Sequence, residues 1–360
     1  MIDSQTDKIS VIIPVHNGAK WLNRIAKCVL EQSWKNLELI FIENFSTDNS
    51  LNILKKIAER DTRVKVLESK LRGTSLARKK GIEYATGKYS VFMDQDDMYN
   101  SKHAIERMHQ TIVETNSEIC QFSFYGKYPF GYQKKFEHTK QRMLLSVEEV
   151  RKREVASLVQ GSGLLNPNVW SKIFLTDVLK DAVKRIEIPL YFAEDQFLNI
   201  CALTSQSLKH VCIDNSGYYE WTIGTGFSSS KDSGDALIED YKKTRPIILD
   251  ILHSFDCDET VIYRFFLETV NFIAVYLIDK TKCKLTESNC ALIKQVNHLD
   301  YVMEAKHYFN SIAPKEILYE ELIFLSSDYS PEDFCNRYKY RTTKSYKINS
   351  LLNKVKKILK

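Results

Sequence analysis

Glycine and proline are scarce in this chain, at 12 and 7 of 360 residues. That scarcity excludes collagen-like and low-complexity segments and leaves little room for long flexible linkers. No G-x-G-x-x-G follows the first apolar run and no G-x-x-x-x-G-K-[ST] occurs, which disfavours dinucleotide redox chemistry and P-loop chemistry. The eight cysteines (28, 120, 201, 212, 257, 283, 290 and 335) form no C-x-x-C pair and have no histidine at zinc spacing. They read as buried thiols of a reducing compartment. No apolar run is long enough to span a membrane, and the polar stretch Met1 to Lys8 lacks the layout of a signal peptide. A cytoplasmic protein is therefore expected. A net charge of +5 is too small to call for nucleic acid as a partner, and none is expected. Acidic residues are missing from one place in particular: residues 336–360 hold nine Lys or Arg and no Asp or Glu.

What is present is ordinary globular material, 44% hydrophobic and 27% charged, with a length that implies one large domain plus an accessory region. Ile9 to Val15, Leu37 to Ile42 and Val64 to Leu67 are apolar and β-branched, as buried strands are. Between them lie helical patterns. Trp21, Leu22, Ile25, Ala26, Val29 and Leu30 share one face; Ser46-Thr47-Asp48 caps a helix bearing Leu51, Leu54 and Ile57; Thr74 to Tyr84 is a third helix. This β-α-β repetition predicts an α/β fold with a mainly parallel sheet flanked by helices, whose ligands bind at the carboxyl ends of the strands. Further on, His103 to Thr115, Val147 to Leu158 and Asn168 to Leu179 read as helices, Glu118 to Tyr125 as a strand, and Tyr125 to Gln141 as a loop or hairpin. Long helical patterns over 235–253, 259–280 and 288–310 place a boundary near 230. This gives a catalytic domain over residues 1–230 (halves of about 1–100 and 101–230) and a helical region over residues 231–360. That helical region is a candidate surface for homo-oligomer formation.

The fourth strand pattern, Ser90-Val91-Phe92-Met93, runs into Asp94-Gln95-Asp96-Asp97. Three carboxylates within four positions repel one another unless a cation neutralises them, and hard oxygen donors suit Mg2+ or Mn2+. The same residues also serve as helix caps or Asx-turns.

Four segments stand in order: Ile9-Ser10-Val11-Ile12-Ile13-Pro14-Val15-His16-Asn17, Phe45-Ser46-Thr47-Asp48-Asn49-Ser50, Ala77-Arg78-Lys79-Lys80-Gly81 and Met93-Asp94-Gln95-Asp96-Asp97. Together they closely resemble the family 2 glycosyltransferases of the GT-A fold. Val169-Trp170-Ser171-Lys172-Ile173-Phe174 and Glu194-Asp195-Gln196 look like the bacterial surface-polysaccharide branch of that family, and the resemblance covers about residues 8–230. It implies an inverting, metal-dependent transfer of a hexosyl or N-acetylhexosaminyl group from a nucleotide-diphosphate sugar, expected to be a UDP-sugar. The acceptor would be a bacterial glycan or lipid-linked glycan.

The resemblance also distributes roles. Asp96 corresponds to the direct ligand of Mn2+ or Mg2+, and Asp94 to a ligand of the ribose or of the metal's water shell. Asp97 either assists them or caps the next helix. Pro14, Val15, Asn17, Asn44, Arg78, Asp94 and Gln95 correspond to the nucleotide-sugar side. Asp195 corresponds to the general base, with Glu194 orienting it or touching the acceptor. Trp170, Lys172 and Trp221 correspond to the acceptor side, and the glycines of 218–230 suit a mobile lid. Two departures, Asn44-Phe45 where the family has Asp-Gly and Lys79 where it has Asn, motivate a second reading, a non-catalytic sugar-nucleotide binding protein on the same fold. A nucleotidyltransferase is a third, but Pro14-Val15-His16-Asn17-Gly18 is not its Gly-rich basic loop. Finally, Ile348, Leu351, Leu352, Val355, Ile358 and Leu359 share a helical face amid lysines. Such a basic amphipathic helix suits an anionic membrane surface, making residues 336–360 a candidate peripheral anchor on the inner face of the plasma membrane.

Overall fold

Continuous β-branched runs become fully buried strands. In the computed structural model, β1 (Ile9–Val15) and β2 (Leu37–Glu43) pair in parallel, and their inward and outward faces are both covered. The structure describes residues 6–128, 131–158, 164–190, 193–223 and 233–263, with isolated positions at 265, 291, 298, 300, 303, 304 and 307. Residues 336–360, and nearly all of the helical patterns over 259–280 and 288–310, lie outside the described residues.

The elements follow in the order β1, α1 (Leu22–Leu30), β2, α2 (Ser50–Arg60), β3 (Val64–Glu68), α3 (Thr74–Tyr84), β4 (Tyr89–Phe92), β5 (Met98–Tyr99), α4 (Ala104–Thr115), β6 (Ile119–Lys127), β7 (Gln133–Phe136), β8 (Met143–Ser146) and the single turn α5 (Val147–Glu149). Irregular helical turns continue to Leu158. After them come β9 (Lys172–Leu175), α6 (Thr176–Ala182), α7 (Glu194–Leu203), β10 (His210–Thr222) and α8 (Ser233–Ser254). One sheet runs β3-β2-β1-β4-β9-β6-β10-β5, with β7 on β6 and β8 on β10. Its first four strands are parallel, β9 is antiparallel to both neighbours, and β6 and β10 are parallel again. The expected α/β architecture is therefore present, and the 125–141 stretch forms the β6–β7 hairpin.

One expectation changes. Asn168 to Leu179 is not one helix: Ile173 and Phe174 are fully buried in β9 between β4 and β6, and α6 begins only at Thr176. The chain divides into two compact units, Met1–Asp258 and Glu259–Lys360. The first includes α8, which buries Tyr241, Ile248 and Leu252 and donates from Arg245 Nη2 to Gln196 Oε1 of α7 at 3.0 Å. Among the described residues the cysteines are all free, and Cys120, Cys201, Cys212 and Cys257 are buried.

At the amino-terminal end of the sheet, Glu38 fastens three strands. Its carboxylate accepts from Ser10 Oγ (2.7 Å), Lys65 Nζ (2.7 Å), Thr86 N (2.7 Å) and Thr86 Oγ1 (2.9 Å). Burial works against its ionisation, yet Lys65, Ser10 and Thr86 hold the carboxyl down to about 2. Because the folded value is depressed, the stabilisation is complete above the unfolded value near 4.5 and fades as pH falls toward 2. Glu38→Gln is expected to cost about 3 kcal/mol at neutral pH and to flatten the acid limb of stability. Urea midpoints measured from pH 2 to 7 check this. Parallel acid limbs for both proteins would contradict it.

Candidate active site

The carboxyl ends of β1, β2 and β4 meet at one edge, and the loops there are stitched to one another. Asn17 takes a left-handed φ of 53°, which asparagine tolerates, and its Oδ1 accepts from Thr47 N at 2.7 Å. Asn17 N donates to Ser46 Oγ (3.0 Å), Gly18 N to Ser50 Oγ (2.9 Å) and Ala19 N to Asp48 Oδ2 (3.0 Å). Asn44 N donates to the Val15 carbonyl at 2.8 Å, while Asn44 Oδ1 accepts from Gly73 N at 3.2 Å. Pro14 and Val15 complete the floor of this edge opposite Ile42 and Glu43. Phe45 stands where the resemblance calls for glycine, and it keeps the left-handed backbone (φ 60°) while remaining exposed.

Gln95, expected on the nucleotide side, bonds the His16 backbone in this structure. Its Oε1 accepts from His16 N (3.0 Å) and its Nε2 donates to the His16 carbonyl (2.9 Å), tying the β4 end to the β1 loop. A Cβ on Gly18 would lie 2.3 Å from Gln95 Oε1, so glycine is what lets this tie close.

Arg78, on α3 and almost fully buried, joins the distant parts of the site. Its Nη2 lies 3.1 Å from Asp94 Oδ1, and its Nη1 lies 2.9 Å from Glu194 Oε1 and 2.6 Å from Asp195 Oδ1. Burial disfavours the guanidinium charge, but Asp195, Glu194 and Asp94 more than compensate and raise its pKa. The segment leading to the acid pair is fastened to the same helix. Thr74 N and Ser75 N at the start of α3 donate to the Leu190 carbonyl, Ser75 Oγ donates to the Ile188 carbonyl (2.9 Å), and Leu190 N donates to Ser75 Oγ (2.8 Å). Ala193, with φ 56°, then turns the chain into α7, whose first two residues are Glu194 and Asp195. Asp195 Oδ2 also accepts from Val169 N at 3.2 Å.

Burial and the neighbouring Asp195 charge push the Glu194 carboxyl up to about 7, against the pull of Arg78. Asp94 rises to about 6, chiefly through burial, with Asp195 and Asp96 adding to the shift and Arg78 opposing it; solvent still reaches 37% of its side chain. Asp96 is buried at 8% exposure. Asp97 is neither a helix cap nor open to a ligand. Its Oδ2 accepts from Tyr219 Oη (2.7 Å), its Oδ1 accepts from Thr222 N (2.7 Å), and α4 begins only at Ala104. Burial, with Asp94 and Asp96 nearby, raises its carboxyl well above the usual range.

On the expected acceptor side, Trp170 is buried and stacks on Tyr219 (4.5 Å between centroids, 18°), with Trp221 beyond it at 6.4 Å. Trp221 is the exposed member, at 36%. Lys172 is not at a surface. Only 1% exposed, it donates to the Asn166 carbonyl (2.9 Å), to Asn166 Oδ1 (2.7 Å) and to the Asn168 carbonyl, and burial draws its ammonium down to about 7 with Asp195 opposing. It braces the turn that delivers Val169 N to Asp195. Residues 224–230 of the expected lid lie outside the described residues. Sequence reasoning missed Tyr219 and Thr222 as partners of the acidic motif; three positions apart on β10, they follow no strand alternation that would have announced them.

Asp94 and Asp96 offer carboxylate oxygens, the donors that Mg2+ and Mn2+ prefer. Among the described residues no group of three or more His, Cys, Asp or Glu side chains closes on a metal position. Mg2+-type ions are commonly held by one or two carboxylates with substrate phosphates completing the shell, so this donor set fits such an ion carried in with a diphosphate. Also among the described residues, no helix is long and apolar enough to cross a membrane.

The family model described as glycosyl transferase family 2 matches residues 10–165. Glycosyltransferase GlyA of Streptococcus pneumoniae is 34% identical over 120 residues, which are 33% of this chain and 17% of that protein. The uncharacterized glycosyltransferase YibD of Escherichia coli K12 is 44% identical over 94 residues, 26% of this chain and 27% of that one. The chain thus covers only a minor part of the length of these relatives. Among solved structures, S. aureus TarS 1-349 in complex with UDP-GlcNAc superposes with a TM-score of 0.67 at 20% identity, covering 93% of this chain and 91% of that one. At that identity the likeness shows a shared fold.

Proposed function

Because residues 10–165 match the model of glycosyl transferase family 2, we propose that this protein is an inverting, metal-dependent glycosyltransferase. It takes a sugar from a nucleoside-diphosphate donor, a UDP-sugar first of all, and places it on a hydroxyl of a bacterial glycan or lipid-linked oligosaccharide. The observation that carries the reading is the Arg78 bridge, which sets the strand-end acid Asp94 beside the acid pair Glu194 and Asp195.

The nucleoside would lie across the ends of β1 and β2, and Asp96 with Asp94 would hold the diphosphate's cation. A bound divalent cation supplies charge stabilisation for the departing nucleoside diphosphate. Asp195 takes the proton of the acceptor hydroxyl as that oxygen attacks the anomeric carbon, and one displacement inverts the configuration there. Arg78 and Val169 N fix the carboxylate's direction. One observation favours a second assignment of the base: Glu194 carries the carboxyl raised to about 7, a value suited to proton transfer near neutral pH.

Donor hydrolysis across UDP-, GDP- and dTDP-sugars with Mn2+ tests the proposal. Turnover is expected with UDP-sugars. Nucleotide binding with no turnover under any donor would favour the non-catalytic reading instead. Attachment of residues 336–360 to an anionic membrane surface belongs to the same proposal. Vesicle pelleting reads it, and equal pelleting of a protein truncated after residue 335 speaks against it.

A further inference from the structure

β10 also reaches the acidic motif. Tyr219 Oη accepts from Asp94 N (3.0 Å) and donates to Asp97 Oδ2 (2.7 Å). Further along the strand, Thr222 N donates to Asp97 Oδ1 (2.7 Å) and Thr222 Oγ1 to the Asp96 carbonyl (3.0 Å). Arg24 Nη2 meets that same carbonyl at 2.9 Å from α1. The motif on either side of Gln95 is thereby held through the Asp94 amide, the Asp96 carbonyl and the Asp97 carboxylate.

The strand is bent to do this. Its pairing with β6 shifts register between Asp214 and Gly217 and again between Gly217 and Tyr219. A Cβ at Gly217 would come within 2.7 Å of the Tyr125 ring, so the irregularity depends on glycine there. Bulges re-aim the side chains that follow them. Here the side chain re-aimed is Tyr219, whose ring is fixed by stacking on Trp170, one residue from the Val169 amide that holds Asp195.

We infer that Tyr219, with Asp97 and Thr222, is a positioning residue that presents the Asp94 and Asp96 carboxylates to a divalent cation bound with a nucleoside diphosphate. The inference rests on the proposed function for its ligand. The Tyr219 hydroxyl acts as the hinge pin: it accepts the Asp94 amide proton and gives its own proton to Asp97, so both orientations are set by one oxygen. Outer partners of this kind commonly change metal affinity by about tenfold or more when removed.

The test is Mn2+ binding, followed by the electron paramagnetic resonance of free Mn2+ in the presence of UDP, for the wild type, Tyr219→Phe and Thr222→Val. Tyr219→Phe keeps the ring stack and loses only the hydroxyl; Thr222→Val removes a donor at the strand's end and is the milder change. Both should weaken Mn2+ binding, Tyr219→Phe by about tenfold, while UDP binding without metal stays unchanged. In transfer assays the Mn2+ concentration at half-activation should rise in step, with activity partly restored by excess Mn2+. Loss of thermal stability with unchanged Mn2+ affinity in both variants would overturn the inference, leaving a purely structural contact. A wild-type protein that binds no Mn2+ with UDP would overturn the metal reading itself, and this inference with it.

Discussion

Asp195→Asn is expected to slow sugar transfer about a thousandfold, within the range of ~100- to 10,000-fold that general base catalysis supplies, while melting within a few degrees of the parent. Asparagine keeps the shape, and its side-chain oxygen can still accept the Val169 amide. What it loses is the ability to take a proton, together with the 2.6 Å ion pair to Arg78. Glu194→Gln provides the comparison. If Asp195 is the base, that change leaves most of the rate. If Glu194 is the base, its loss is the larger one, and the rise of activity through pH 7 disappears with it, because a carboxyl raised to about 7 becomes the proton acceptor only above that pH. Rate profiles of both variants over pH 5 to 9 decide between them. An Asp195→Asn enzyme of normal rate refutes the first assignment.

Asp96→Ala should remove the metal requirement and nearly all transfer with it, again by about a thousandfold, since a metal acting on a departing diphosphate is worth several kcal/mol. The residue is buried, so part of any loss could reflect packing. Asp96→Asn preserves volume and separates the two: it should fail in transfer as badly as alanine while restoring the melting temperature. The measurement is transfer rate against Mn2+ concentration, with nucleotide affinity alongside. Normal Mn2+-dependent turnover by Asp96→Asn would remove this residue from the metal site.

The amino-terminal half was readable because β1, β2 and β4 are buried on both faces. Ile9 to Val15 and Leu37 to Ile42 are therefore mostly apolar runs, and the polar clusters after them fall at the carboxyl ends of the strands. The acceptor half was less readable for a physical reason. Trp170, Phe174 and Val178 recur every four residues, the spacing of a helix, although Ile173 and Phe174 belong to a strand whose two faces are covered. Burial of Lys172 runs against its type and is explained by three carbonyl-type acceptors that no local pattern announces. Arg78 was identified as a site residue, but its partners Glu194 and Asp195 stand 116 and 117 positions away, beyond the reach of periodicity. Gln95 and Asn44 both lie at the carboxyl ends of the strands, where their side-chain amides bond backbone groups of the protein, contacts that no local pattern announces.

The stitching of α3 to residues 188–190 has a consequence for how the domain assembles. The amide groups that open this helix find their acceptor only after more than a hundred further residues have been made. An emerging chain therefore cannot finish its first half and then add the second. Such long-range closure is entropically costly and forms late. The two halves should consequently melt as one cooperative unit, and a protein ended at residue 165 would be missing the acceptor for its own third helix.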